Sequence, residues 1–245
     1  MAGKVEITCR YEPRSRALLV CPAQDQSKEV MSKLSDFLRM HDETLLKQDA
    51  VYEKAWINGS KVLALPGSER SVRGYSDPRF IILDEGSRIE DGTYKAALPM
   101  TAGGKSEILA LSTPWGKRGW FYRAWMGEQE SDEDVEWDRI MVAAPYWVDE
   151  KDDRKVVPAP PLKTMQREYA KKGVKFFYSE RHTKKFCQFM LNELGPLWYR
   201  QEYQCEFINL TNSVFSEAMI ERAQDEAAEI LNINQNVHDD AEVLV

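Results

Sequence analysis

Cysteine and histidine are scarce in this chain. The four cysteines (Cys9, Cys21, Cys187, Cys205) form no C-x-x-C pair, and the three histidines (His41, His182, His238) lie far apart. That excludes the usual zinc spacings and argues against a secreted disulfide scaffold. Long apolar runs are missing as well. None approaches the roughly 18 residues of a membrane span, and Met1-Ala2-Gly3-Lys4 leads into no hydrophobic signal region. Positive charge is in the minority, 33 Lys+Arg against 40 Asp+Glu for a net charge of −7. Nucleic-acid binding through overall basicity is thereby excluded, while a local basic patch is not. There is no internal repeat and no low-complexity tract. What remains is a 245-residue chain with 43% hydrophobic residues, long enough to bury a real core in one or two domains. The expectation is a soluble protein of a reducing compartment.

Several short apolar runs end at turn residues. Ala17-Leu18-Leu19-Val20-Cys21 stops at Pro22, Lys61-Val62-Leu63-Ala64-Leu65 at Pro66-Gly67, and Phe80-Ile81-Ile82-Leu83 at Asp84-Glu85-Gly86. Ile108-Leu109-Ala110-Leu111 stops at Ser112-Thr113-Pro114, and Ile140-Met141-Val142-Ala143-Ala144 at Pro145. Continuous hydrophobicity of this kind suits strands covered on both faces, as in parallel sheets. Between the first two runs, Val30, Met31, Leu34, Phe37 and Leu38 mark one face of an amphipathic helix over Gln26–Met40. Residues 1–145 therefore read as an α/β layered core, a mainly parallel sheet with flanking helices.

Composition then changes. Residues 128–138 carry seven acids and no base, which reads as a solvated loop before the last strand of that core. Pro158-Ala159-Pro160-Pro161 is linker-like, and residues 146–210 read as a linker and small helical subdomain. Residues 163–185 hold eight Lys/Arg against two acids. Lys171, Lys172, Lys175, Lys184 and Lys185 in that stretch offer either a polyanion-binding surface or merely a charged helix face. The aromatic residues between Phe176 and Phe207 point to packing between small helices, with base stacking as the alternative. Residues 211–245 read as a helical pattern followed by a frayed tail.

The strongest chemical signal is Phe80-Ile81-Ile82-Leu83-Asp84-Glu85. A buried strand delivering two acids to its carboxyl end is the Walker B arrangement. The first carboxylate lies near the Mg²⁺ of a nucleotide, and the second orients or deprotonates the attacking water. Ligands of open α/β sheets sit at that end of the strands. Ser112 and Thr113 close a second strand some 25 residues later, either as a γ-phosphate sensor or as an ordinary strand-ending turn. Gly104-Lys105-Ser106 imitates the end of a phosphate-binding loop. However, the glycine that should open G-x-x-x-x-G-K-S falls at Pro99, and the context is helix then strand, the reverse of what such a loop needs.

Four signatures in one order carry a family resemblance: Ala64-Leu65-Pro66-Gly67-Ser68-Glu69-Arg70-Ser71-Val72-Arg73-Gly74-Tyr75-Ser76; Ile82-Leu83-Asp84-Glu85-Gly86-Ser87-Arg88; Leu111 to Tyr122; and Arg200 to Phe207. Over residues 17–222 the chain resembles the large terminase subunit of tailed bacteriophages, an ATP-driven motor that threads viral DNA into a capsid. The resemblance implies a P-loop-NTPase-like α/β fold, with Mg²⁺ and ATP as cofactors. It implies Asp84 as the metal-associated acid, Glu85 as the water-activating residue, and Ser112 and Thr113 as the motif coupling hydrolysis to movement. Arg73 takes either the role of an arginine finger reaching a neighbouring subunit's nucleotide or that of a structural ion pair. The partners implied are DNA, the portal protein, the small terminase subunit and further copies of the chain. The implied location is the host cytoplasm and, transiently, the procapsid portal.

The departures from the family are at both ends. No G-K-[ST] precedes Ala17, and the residues after Leu210 are too few for the family's metal-dependent nuclease, so Asp225, Glu226 and Glu229 read as surface charge. The expectation is a motor piece whose P-loop comes from a complementing chain, with an exposed strand edge in the sheet. Two other readings stand beside it: a non-catalytic module binding DNA, portal or small subunit, and a helicase-like ATPase fragment that leaves Arg200 to Phe207 unexplained.

Overall fold

The computed structural model describes residues 2–41, 43–128 and 137–208, which belong to one compact unit. The expectations for residues 129–136 and 211–245 fall outside the described residues. Every apolar run singled out above is a strand. In chain order the first part comprises α1 (Ala2–Tyr11), β1 (Arg16–Cys21), α2 (Gln24–His41), β2 (Leu46–Asp49), β3 (Glu53–Trp56) and β4 (Lys61–Pro66). Next come α3 (Glu69–Val72), β5 (Phe80–Asp84), α4 (Asp91–Ala97), β6 (Glu107–Leu111) and α5 (Gly119–Met126). The six strands form one sheet in the order β2-β3-β4-β1-β5-β6. The four from β4 to β6 run parallel, with Leu19 opposite both Ala64 and Ile82, and Ile82 opposite Leu109.

Because side chains alternate along a strand, the central strands feed two cores. Ala17, Leu19, Phe80 and Ile82 pack under α1 and α2, against Val5, Cys9, Met31, Leu34 and Leu38. Leu18, Val20, Ile81 and Leu83 face the other way, against Val72, Ala97 and Trp120 of α3, α4 and α5. Gly67 closes the upper end of the sheet. A Cβ there would lie 2.6 Å from the Cys21 carbonyl oxygen, so only glycine lets the chain leave β4 so close to the end of β1.

Two strands were not legible beforehand. β2 and β3 are mostly polar and pair antiparallel beyond β4. β3 is held by the fully buried Trp56 and by Lys54, whose buried ammonium pairs with Asp49 and donates to the Ala50 carbonyl (2.8 Å).

The run at Ile140–Ala144 is a strand, but it does not join the α/β sheet. As β7 (Arg139–Ala143) it pairs in parallel with β10 (Val174–Tyr178) in a separate two-stranded sheet. β8 (Tyr146–Val148) and β9 (Val156–Pro158) form an antiparallel pair, and α6 (Leu162–Ala170) and α7 (Lys184–Gln204) complete this part. The stretch read as mainly helical thus carries three strands of its own. Local hydrophobicity reveals that a strand exists; it does not reveal which strand lies beside it. α7 is tied to the hairpin by polar groups. Tyr199 donates its hydroxyl to the Tyr146 carbonyl (2.8 Å), and Gln204 accepts from the Val148 amide (2.9 Å). Gln188 accepts from the Val156 amide (3.0 Å). Several of the aromatics here serve packing: Tyr169 stacks on Phe176, Tyr199 stacks on Tyr203, and Phe207 packs against Phe121, Tyr122 and Trp125, whereas Phe177, Phe186, Phe189 and Trp198 are exposed.

These two parts predict different tolerances. Phe80 is 0% exposed and Ile140 54% exposed. In urea unfolding, Phe80→Ala should cost about 3–5 kcal/mol, whereas Ile140→Ser should stay within about 0.5 kcal/mol of wild type. Equal losses would contradict the assignment of β5, rather than β7, to the central core.

Candidate active site

The parallel register brings the ends of four strands together. Pro66 lies opposite Cys21, Val20 opposite Leu83, and Asp84 opposite Leu111. Asp84 therefore emerges from an internal strand, one in from the edge of the sheet, and Ser112 follows immediately on the adjacent edge strand β6. Four of the five β5 residues are buried and Asp84 is half-buried, so the strand fixes where that carboxylate stands.

Glu85 turns the chain sharply. Its backbone is left-handed (φ 51°, ψ 45°), a conformation that costs a non-glycine residue roughly 1–2 kcal/mol. The turn continues into a 3₁₀ segment, Gly86–Arg88, in which the Arg88 amide donates to the Glu85 carbonyl (2.9 Å). Gly86 is buried under Trp120 and Phe121, which lie 3.2 Å from where a Cβ would stand.

The turn is fastened to the end of β6. Ser112 Oγ accepts from the Ser87 amide (3.1 Å) and lies 2.7 Å from Ser87 Oγ. Ser87 Oγ and Ser112 Oγ each lie 2.8 Å from the Thr113 carbonyl oxygen. The two segments picked out in sequence, Asp84-Glu85 and Ser112-Thr113, are thus bound into one unit, with Ser87 as the joint. Ser87, within the Ile82–Arg88 signature, carries no signal of its own, being a small hydroxyl residue in a turn.

Burial raises the Asp84 carboxyl above its ordinary range, against a hydrogen bond from the Glu85 backbone and the positive charge of Lys33, while Glu29 pushes it up. Glu85 is also raised by burial. Arg88 pulls it back down, and Asp84 and Glu202 push it up. A carboxylate shifted in this direction is a better proton acceptor. Arg88 donates to Glu85 Oε2 (3.1 Å) and lies over the Trp115 ring, 4.5 Å from its centre.

Arg73 follows α3 and is exposed. Lys171, Lys172 and Lys175 lie around the start of β10, whereas Lys184 and Lys185 open α7 beyond its far end. All five lysines are exposed. Lys175 pairs with Asp138 (2.8 Å), and the Lys172 ammonium lies over the Tyr169 ring. Gly104 occupies a turn between Leu98–Thr101 and β6, and the Lys105 carbonyl accepts from Arg79 (2.9 Å), so this imitation motif joins a helix to a strand. A cleft of about 510 Å³ lies beside the acid pair, lined in part by Ser87, Arg88, Trp115 and Arg118. Neither Asp84 nor Glu85 lines it. Among the described residues, no group of three or more His, Cys, Asp or Glu is placed to hold a metal, and no helix is long and apolar enough to cross a membrane.

The site is thus an acid pair at the end of an internal strand of a mainly parallel, helix-flanked α/β sheet, with hydroxyl residues closing the neighbouring strand. Comparison with known proteins makes the family specific. Residues 9–222 match the family described as terminase large subunit, T4likevirus-type, N-terminal, and the chain belongs to that family. Its fold is similar to that of the Thermus phage P74-26 large terminase ATPase domain (TM-score 0.52, 17% identity, 85% of each chain covered). It is also similar to that of the large terminase from the thermophilic bacteriophage D6E (TM-score 0.55, 9% identity). That match covers 89% of this chain and 47% of the other, so the chain spans about half of that terminase. A second structure of the same protein, in complex with ADP, matches with a TM-score of 0.54 at 8% identity, covering 84% of this chain and 44% of that one. No curated protein matches the chain.

The hydroxyl joint generates a prediction. Ser112→Ala removes the acceptor of the Ser87 amide and should cost about 1 kcal/mol in urea unfolding. It should also speed amide exchange at residues 85–88, and unchanged exchange there would show that Ser112 does not hold the turn.

Proposed function

We propose that this chain contributes the Walker B and coupling segments of the ATPase that drives DNA packaging. The observation carrying this reading is the pairing of Asp84-Glu85 with Ser112-Thr113 through Ser87 at the carboxyl ends of two adjacent parallel strands. Asp84 suits a magnesium ion that arrives with its nucleotide, because Mg²⁺ keeps most of its waters and takes one or two carboxylates plus phosphate oxygens. A free-ion cage is not what this donor set offers. When bound, Mg²⁺ neutralises charge on the phosphates.

The remaining work falls to the chain's own residues. Glu85 accepts a hydrogen bond from the attacking water and takes its proton; its raised basicity suits it to that task. Asp84 stands fixed by β5. Ser112 holds the Glu85–Arg88 turn, so a displacement at the end of β6 reaches Glu85 through Ser87. Arg73, exposed beyond α3, is the candidate for reaching an adjacent subunit's nucleotide.

Residues 1–245 contain no G-x-x-x-x-G-K-[ST] sequence, so the phosphate-cradling loop of this reading lies outside these residues. Its strand has a natural place. β6 is the last strand of the sheet, and Ile108–Leu111 are only partly buried or exposed there, so a strand added at that edge, with the elements it brings, would cover them.

The test is ATP turnover with Mg²⁺. The purified chain alone should show none. Addition of a family polypeptide carrying the phosphate-binding loop should produce turnover that Glu85→Gln lowers by about 10²–10⁴-fold. Turnover by the chain alone, abolished by Glu85→Gln, would reject the divided site; turnover of the complex indifferent to Glu85→Gln would reject the acid's role.

DNA, the portal protein, the small terminase subunit and further copies of the chain are the partners of this reading, inside the host cell and at the procapsid. For DNA, the exposed lysines are the contacts. Reversal of Lys171, Lys172 and Lys175 to glutamate should weaken binding at low salt by about tenfold or more and flatten its salt dependence. An unchanged salt slope would assign those residues to a merely solvated face.

A further inference from the structure

Arg88 lies three residues beyond Glu85 and makes three kinds of contact. Its Nη1 donates to Glu85 Oε2 at 3.1 Å, its Nη2 lies 4.0 Å from Glu202 Oε1, and its guanidinium covers the Trp115 ring at 4.5 Å. Side-chain exposures of 34%, 33% and 27% for Arg88, Glu85 and Glu202 place the cluster half out of water, where charge-assisted hydrogen bonds hold geometry better than on an open surface. Trp115, the ring beneath Arg88, packs in turn on Trp198 at 5.6 Å. Two separate contacts therefore join the Glu85 turn and the β6–α5 loop to the final turns of α7.

Those final turns are set off from the rest of the helix. Gly195 has φ 76° and ψ 167°, outside helical geometry, and Pro196 follows. Glycine accommodates that φ without a Cβ clash, and proline removes a hydrogen-bond donor just beyond it. Residues 196–204 thus form a short second helix behind a built-in break, and it is this piece that carries Trp198 and Glu202.

We propose that Arg88 is the positioning residue of Glu85, and that the second half of α7 sets its hold by offering Glu202 as a competing carboxylate. A guanidinium has a planar fork of five donors, so it can be shared between two carboxylates while its face stays on an indole. With Arg88 drawn to Glu85, the acid's free oxygen is aimed by a fixed partner. With Arg88 drawn to Glu202, Glu85 is released. Rotation at Gly195–Pro196 moves the competitor and thereby the aim of Glu85. The proposal rests on Glu85 acting on water as argued above.

The test separates the two claims. In the complex of this chain with the polypeptide carrying the phosphate-binding loop, Arg88→Gln should lower kcat by about 10–100-fold while KM for ATP stays within about threefold, the signature of lost aim rather than lost binding. Arg88→Lys, which keeps the charge without the fork, should recover part of the loss. Glu202→Gln should change kcat severalfold, again without KM. If Glu85→Gln abolishes turnover but Arg88→Gln leaves kcat intact, or alters KM alone, the positioning role is overturned and the ATPase reading survives. If Glu85→Gln has no effect, or the wild-type complex shows no turnover, the ATPase reading itself fails, and the role assigned to Arg88 in it fails too. The link to α7 is decided on the chain alone. Arg88→Gln should speed amide exchange across residues 197–204 about tenfold and leave residues 80–84 unchanged; unaltered exchange across 197–204 overturns the link.

Discussion

Everything at the upper end of the sheet depends on the burial of β5. Phe80, Ile81, Ile82 and Leu83 are each at most 2% exposed, and they alternate between two cores supplied by different helices. A strand gripped on both faces and bonded on both edges has no freedom to slide, because a one-residue slip would exchange its two apolar faces. The carboxylate that follows is consequently placed to within the play of its own side chain. A charged residue half out of water is costly to hold still by polar contacts alone; here the apolar strand beneath it does the holding.

From that fixed point the structure builds outward through short links. Glu85 adopts a strained left-handed turn, and such strain persists only where surroundings over-determine it. The surroundings are identifiable: Gly86 pressed against Trp120 and Phe121, Ser87 bonded to Ser112, and Arg88 laid on Trp115. α5 is anchored by the same region, since the Asp91 carboxylate accepts from the Trp120 amide at 2.8 Å and pairs with Arg123. The acid pair is thus surrounded by segments bonded and packed to one another.

How much of this was readable beforehand varies with the distance over which each feature is determined. β1, β4, β5 and β6 were legible because continuous apolar runs ended by Pro, Gly or Asp-Glu report burial on both faces, a local property. α2 was legible from its 3.6-residue spacing. β2 and β3 are not, because Leu-Lys-Gln-Asp and Glu-Lys-Ala-Trp carry no strand pattern and owe their pairing to Trp56 and to the ion pair between the buried Lys54 and Asp49. β7 is legible as a strand but its sheet is not, since its partner β10 lies over thirty residues away. β10 itself alternates, with Val174 and Phe176 buried and Lys175 exposed, but it is short and lies within a stretch whose dominant pattern is basic charge. At the site, Asp84, Glu85, Ser112 and Thr113 announced themselves by position after apolar strands. Ser87, Trp115 and Glu202 did not, because their significance lies in contacts that only the folded chain creates.

The central claim is that the ends of β5 and β6 face a magnesium–nucleotide complex. Paramagnetic broadening reads this directly: Mn²⁺ with ATP is titrated into the isotope-labelled chain bound to the polypeptide carrying the phosphate-binding loop. The account predicts that amide signals of residues 83–87 and 111–113 vanish first, while those of β7, β10 and α6 persist. Early loss around residues 171–185 instead, with residues 83–87 still sharp, would contradict it.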